Sequence, residues 1–262
     1  MRRKLIPLLC LFVLIACKPA EDPAAKAASI SAKIKQADAQ VVSEGYAAAK
    51  ALYESVLAEE PNNPEAIRGL GQCELMERNY TAAEQHLSKA LTFDGKNPAT
   101  HAALGQTYEM LKRHAEAAAA YQNAVALSPD RSVWILALGR NLRLANQAAK
   151  AEEVLRQLSV DDPKVEYVFS ELGDALRAQK KLDEALGAYM KAQSTYGSDK
   201  AARAGAALVY EEKHEVTLAV NEWSEYLRMD CCSDYSNQVA KTHVKALREQ
   251  EAGTAPEQAA NP

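Results

Sequence analysis

Few side chains in this 262-residue sequence are spaced for chemistry, and the clearest is a thiol. Cys17 ends an apolar run from Leu5 to Ile15, with Arg2-Arg3-Lys4 ahead of the run and the small Ala16 just before the cysteine. Its thiol is the one atom there that could take a covalent thioether. The other reactive types are badly spaced. His86, His101, His114, His214 and His243 have no cysteine or second histidine at a metal-ligand interval, and no HExxH occurs. Gly69-Leu70-Gly71 hints at a dinucleotide loop but follows no strand and lies inside a helical pattern. Gly-x-Ser-x-Gly and phosphate-loop motifs are absent. Glu59-Glu60, Glu152-Glu153 and Glu211-Glu212 read as solvated helix surface, and His101 as a packed residue replacing an aromatic. These patterns predict no enzyme, no metal, no cofactor and no small-molecule substrate.

The run before Cys17 is too short for a helix that crosses a bilayer, which takes about 20 residues. Leu14-Ile15-Ala16-Cys17 resembles the bacterial lipobox. That resemblance implies a signal peptide over 1–16, removed by cleavage before Cys17, and a diacylglyceryl thioether on Cys17 with acylation of the new amine. Two or three acyl chains anchor stably, each buried methylene contributing about 0.8 kcal/mol. Lys18 rather than aspartate follows the cysteine, which points to the outer membrane. Residues 17–29, with two prolines and no apolar period, are predicted to be a lipidated tether.

Cleavage and lipidation leave Cys73, Cys231 and Cys232. Adjacent cysteines bond only through a strained ring, and a bridge from Cys73 to either spans more than four repeats. The odd thiol leaves an intermolecular bond open; so does the reading as small apolar residues at a turn.

The formal charge of −4 becomes three units more negative once Arg2, Arg3 and Lys4 are gone. An acidic chain lacks the basic surface that nucleic acid requires. Alanine, leucine, glutamate, lysine and glutamine dominate, all good helix formers, and no alternating β-branched run appears. The fold class is predicted to be all-α.

A 34-residue period organises the helices. Gly71, Gly105, Gly139 and Gly173 each follow a leucine, and Ala49, Ala83, Ala117, Ala151, Ala185 and Ala219 keep the same interval. Four residues after each alanine stands Tyr53, Leu87, Tyr121, Leu155, Tyr189 or Trp223. Pro61, Pro64, Pro98, Pro129 and Pro163 all fall at joins between repeats, where proline ends or opens a helix. Asn63-Pro64 and Asn97-Pro98 read as N-cap plus first helical residue.

The pattern resembles the tetratricopeptide repeat (TPR), a 34-residue helix–turn–helix. The resemblance implies a right-handed solenoid of about six repeats, 30–63, 64–97, 98–131, 132–165, 166–199 and 200–233. The glycines should let helix A approach helix B within a repeat. Repeat 1 has Ala37 for glycine and no leucine before it, so its helix A lacks the signature. Residues 234–251 are predicted to form a capping helix with Val239, Val244 and Leu247 on one side, and 252–262 a disordered tail.

In this family helix A lines a concave groove. Mapped onto this chain, the groove-facing positions are Arg68, Gln72, Gln106, Glu109, Met110, Arg140, Arg143, Tyr167, Asp174 and Arg177. Arginine, tyrosine and methionine suit an interface, and the stretch is predicted to be mildly basic, with Arg140, Arg143 and Arg177 converging on an acidic or extended partner segment. The Lys/Asn clamp of chaperone-binding TPR domains is missing, since Ala103 stands where its asparagine should. In size and architecture the chain resembles the pilotins of type IV pili, lipoproteins that assist an outer-membrane secretin. That implies envelope proteins as partners, a secretin subunit among them. The alternative is an adaptor lipoprotein recruiting peptidoglycan hydrolases or synthases.

Overall fold

The computed structural model describes residues 22–254. Cys17 with the signal peptide, the first tether residues and positions 255–262 of the expected tail lie outside the described residues. Among those described, thirteen α-helices and no strand occur, as the composition predicts. Twelve of them pair into repeats. Repeat 1 is α1 (Pro23–Val42) with α2 (Tyr46–Glu59), and repeat 2 is α3 (Pro64–Met76) with α4 (Tyr80–Phe93). Repeat 3 is α5 (Pro98–Met110) with α6 (His114–Leu127), and repeat 4 is α7 (Ser132–Leu144) with α8 (Ala148–Asp161). Repeat 5 is α9 (Val168–Ala178) with α10 (Leu182–Thr195), and repeat 6 is α11 (Lys200–Glu212) with α12 (Val216–Met229). A π-helical turn, Ser236–Ala240, leads into α13 (Lys241–Thr254).

Caps and turns set these boundaries. Asn63 and Asn97 each accept a backbone N–H three residues on, at 3.0 and 3.1 Å, with proline at the first helical position. The turn between the two helices of every repeat has one residue with positive φ: Glu44, Arg78, Lys112, Asn146, Lys180 and His214. The N–H after it reaches back to a helix A carbonyl, as Arg113 N does to Tyr108 O at 2.8 Å. This closes the last turn in the manner of a Schellman cap without glycine.

The glycine column keeps the paired helices close. A Cβ on Gly71 would lie 2.7 Å from the Leu87 side chain, and one on Gly139 2.5 Å from that of Leu155. The large residue of helix B therefore packs directly on the glycine of helix A. Tyr189 is held from two sides, by Gly173 of its own repeat and Gly205 of the next. Tyr53, Tyr189 and Trp223 are fully buried.

Both ends depart from expectation. Repeat 1 does have its helix A, and α1 starts at Pro23, inside the expected tether. Asp22 caps it, accepting Ala24 N–H at 3.0 Å, and alanines fill its first turns. Ile30, Ile34 and Ala37, one helical face, bury against Tyr53 and Val56 of α2. At the other end Val239 is half-exposed and Ala240 takes its place, joining Val244 and Leu247 over Trp223 and Tyr226. The helix also runs three residues past Glu251, to Thr254. Cys231 and Cys232 are disulfide-bonded to each other, while Cys73 is a buried free thiol whose pKa burial, with Glu77 nearby, pushes up to about 11. His101 does not enter the core; it is half-buried on α5, and its Nε2 lies 3.0 Å from the carbonyl of the exposed Gly95.

The odd-numbered helices line the inner side of the stack. There α3 touches α1 and α5, and α9 touches α7 and α11, whereas α5 and α7 do not approach as closely. Ions tie the outer side together. Lys50 of repeat 1 bridges Glu74 and Glu77 of repeat 2, at 3.3 and 2.5 Å, and Glu84 of repeat 2 meets Arg113 of repeat 3 at 2.8 Å. Glu152 of repeat 4 meets Lys181 of repeat 5 at 2.7 Å, and Asp183 of repeat 5 meets Lys213 of repeat 6 at 2.7 Å. Between repeats 3 and 4 the equivalent positions hold Ala118 and Gln147, and a polar contact rather than an ion pair is formed there, from His114 Nδ1 to Asn141 Oδ1 at 3.0 Å.

Candidate functional site: the concave groove

Helix A faces supply the groove, and helix B aromatics fix its carboxylates from behind. The Tyr53 hydroxyl donates to Asp38 at 2.6 Å, Tyr121 to Glu109 at 3.3 Å and Tyr189 to Asp174 at 2.6 Å; Trp223 Nε1 donates to Glu211 at 2.5 Å. Burial raises the pKa of both Tyr121 and Tyr189, with Glu109 and Asp174 adding to the effect. Burial also raises Asp174, against the pull of Arg143 and the Tyr189 hydroxyl.

The predicted arginines converge but are not free. Arg140 Nε donates to Glu171 at 2.5 Å and its Nη1 lies 3.9 Å from Glu109. Arg143 Nη2 meets the other Glu171 oxygen at 3.0 Å and Asp174 at 3.3 Å. Arg177 donates to Glu212 at 3.1 Å. Burial works against the charge of Arg140, yet Glu171 and Glu109 hold its pKa above the ordinary value. The groove is therefore a ladder of alternating charges, and the mildly basic surface expected from the sequence is corrected to a near-neutral one. Reversing all three arginines to glutamate would set like charges against Glu171, Asp174 and Glu212, so that triple variant would not leave the fold undisturbed.

Glu171 is the hub that sequence reasoning missed. It is only 9% exposed and sits in a column that holds small residues in the other repeats after the first, Gly69, Ala103, Ala137 and Gly205. The tip of Tyr53 comes to Gly69, and that of Tyr189 to Gly205. The helix B preceding Glu171 carries Leu155 instead of tyrosine, so a longer side chain fits. A glutamate where repeats 2, 3, 4 and 6 carry glycine or alanine was the available signal.

Two hollows open along this face. One, of about 450 Å³, lies between α5 and α7 and brings Gln72, Gln106, Glu109 and Arg140 together with Val133 and Trp134. The other, of about 380 Å³, lies between α9, α11 and the chain after α12, with Asp174, Arg177, Tyr226 and Tyr235 on its walls. Arg68 lies beside the first hollow, donating to Gln72 at 3.2 Å. Met110 is half-exposed and Tyr167 caps α9 with φ 68°, and neither lines a hollow. The Nε atoms of Arg68, Arg143, Arg177 and Arg203 are buried yet have no hydrogen-bond partner among the described residues. In the same set of residues no His/Cys/Asp/Glu cluster is placed to hold a metal ion, and no helix is long and apolar enough to cross a membrane.

A profile of the tetratricopeptide repeat family matches residues 44–107 and 110–170. These residues are TPRs. With the same helix pairing continuing to α12, the described chain has the fold of a TPR solenoid. Solved structures agree on the fold. A Pseudomonas aeruginosa structure described as a functional characterization of pilF aligns at TM-score 0.66 and 18% identity, over 86% of this chain and 99% of that one. The C-terminal part of a TPR repeat-containing protein from Cytophaga hutchinsonii aligns at TM-score 0.63 and 15% identity, over 86% and 96%. YrrB, described as a TPR protein with an unusual peptide-binding site, aligns at TM-score 0.59 and 16% identity, over 72% and 97%. No curated protein sequence matches significantly.

Proposed function

We propose that this TPR array is a lipid-anchored scaffold of the bacterial envelope whose concave groove holds an extended segment of another envelope protein. The observation that carries the groove is the open hollow of about 450 Å³ between α5 and α7, where Gln72, Gln106, Glu109 and Arg140 stand beside the exposed Val133. An extended chain laid along that hollow would present a row of backbone carbonyls and N–H groups that need partners. The glutamines of the first hollow offer both donors and acceptors to the same backbone. Because the ladder is near neutral, the partner segment need not be acidic, which drops one of the two sequence-based expectations and keeps the other.

The anchor rests on the lipobox at Cys17. The pathway is read as assembly of an outer-membrane complex of the type IV pilus secretin kind, supported by the architectural resemblance to pilotins and by the fold shared with the pilF structure over nearly all of that chain. Crosslinked pull-down from the native envelope tests the reading. Wild type should carry a metabolic palmitate label and capture an envelope protein. Cys17→Ala should lose the label, and Gln106→Trp with Val133→Trp, two exposed residues that line the first hollow, should lose the capture while melting as wild type does. A label retained by Cys17→Ala, or capture retained by the filled groove, overturns the corresponding half.

A further inference from the structure

The convex side of the stack has a second opening. Helix B of each repeat is tied outward to the next repeat by the ion pairs described above, except between repeats 3 and 4. There α6 presents Ala115, Ala118 and Ala119 where α4 has Thr81, Glu84 and Gln85. Ala118 cannot reach across as Glu84 reaches Arg113, and Gln147 stands where that arginine would be. The contrast with the following junction is sharp: Lys181, Arg156 and Gln179 all converge on Glu152 and, despite its partial burial, bring its pKa down to about 2.

The result is a groove of about 860 Å³ between α6 and α8. Its floor is apolar, with Ala118, Ile135, Leu138 and Val154. Its rim is acidic, with Asp130, Glu153, Asp161 and Asp162 against the single cation Lys150. None of the four carboxylates forms an ion pair among the described residues; Asp161 accepts from Gln157 and Asp162 from Ser132, both neutral. Unscreened carboxylates beside an apolar floor attract cations and repel anionic surfaces, so an anionic lipid headgroup is the wrong occupant. Helix B is 14 residues long, about 21 Å at 1.5 Å per residue, which matches a docked helix of about four turns.

We propose that the α6–α8 groove is a second docking site, taking an amphipathic helix with basic flanks from another protein. Its apolar stripe would lie on the alanine floor, and its lysines or arginines would meet Asp130, Glu153 and Asp161. The site faces away from the concave groove, so the scaffold can hold two segments at once. This reading stands whether or not the concave groove binds a partner.

Titration calorimetry on the full chain tests it with an 18-residue helical peptide probe that has leucines at i, i+3, i+4 and i+7 and lysine flanks. A twin with glutamate flanks is the control. The lysine peptide should bind at least tenfold tighter than its twin and weaken as salt rises. Ala118→Glu with Gln147→Arg copies the Glu84–Arg113 pair and should close the groove, cutting affinity at least tenfold with an unchanged melting curve. Glu153→Lys with Asp161→Lys, both exposed, should reverse the preference between the twins and guards against a misfolded closure variant. No binding of the lysine peptide, equal binding of the twins, or affinity untouched by both double variants would overturn the proposal. So would a dimer of the full chain that the closure variant abolishes, since the occupant would then be a second copy.

Discussion

A methyl group on Gly139 would have to share space with Leu155, whose side-chain carbons would stand 2.5–3.0 Å away. Leu155 is fully buried, so the helices themselves must separate. Gly139→Leu should therefore destabilise the chain by about 1–3 kcal/mol, the usual range for overpacking. Its neighbour Arg140 sits on the partly solvated groove wall and shares Glu171 with Arg143. Arg140→Ala should cost about 1 kcal/mol, more than the ~0.5 kcal/mol of an unpartnered surface site but less than Gly139→Leu. Urea midpoints in the opposite order would mean that the repeat is wrongly phased. The glycine column was legible because one residue type recurs at one interval. The arginines were legible as groove positions but not as paired ions. Their partners lie 28 to 35 residues away on the next repeat, and Glu171 occupies a position that is glycine or alanine in repeats 2, 3, 4 and 6.

At the scale of the element, the turn between helices A and B repeats a backbone conformation rather than a residue type. Glutamate, arginine, lysine, asparagine, lysine and histidine all adopt φ near 60° at the same point of successive repeats. No residue pattern announces this turn, which is why the period was readable in glycines and prolines and not here. A side chain in the left-handed region costs roughly 1–2 kcal/mol, and glycine is free of that clash but loses more entropy on folding. Lys112 is exposed, with φ 59°. Lys112→Gly should raise stability by about 0.5–1 kcal/mol, read as a higher urea midpoint with unchanged slope; a lower midpoint would show that the lysine stem contributes packing that outweighs the clash. The first turns of α1, residues 23–29, were assigned to the tether for a related reason. The buried face of α1 begins at Ile30, and the turns before it are alanine-rich helix that needs no apolar partner once Asp22 caps it.

For the whole molecule, the stack of six helix pairs was readable because each pair repeats the same contacts, while its faces depend on where the repeats differ. The tyrosine–carboxylate pairs come from the odd repeats, the Glu171 hub from a leucine in repeat 4, and the open junction from two missing ions between repeats 3 and 4. Function on this reading lives in departures from the repeat. On the proposed function, an extended segment of an envelope protein lies along the concave groove. The direct measurement places a photo-crosslinking amino acid at Gln106, exposed within the first hollow, and for comparison at Met190, which is 60% exposed on a B helix. After irradiation of intact cells, the adducts are mapped by mass spectrometry. Gln106 should yield one dominant adduct to a short segment of another envelope protein, and Met190 should not yield it. Equal yields of that adduct from the two positions, or none from Gln106, would contradict the claim that the groove is where this scaffold holds its partner.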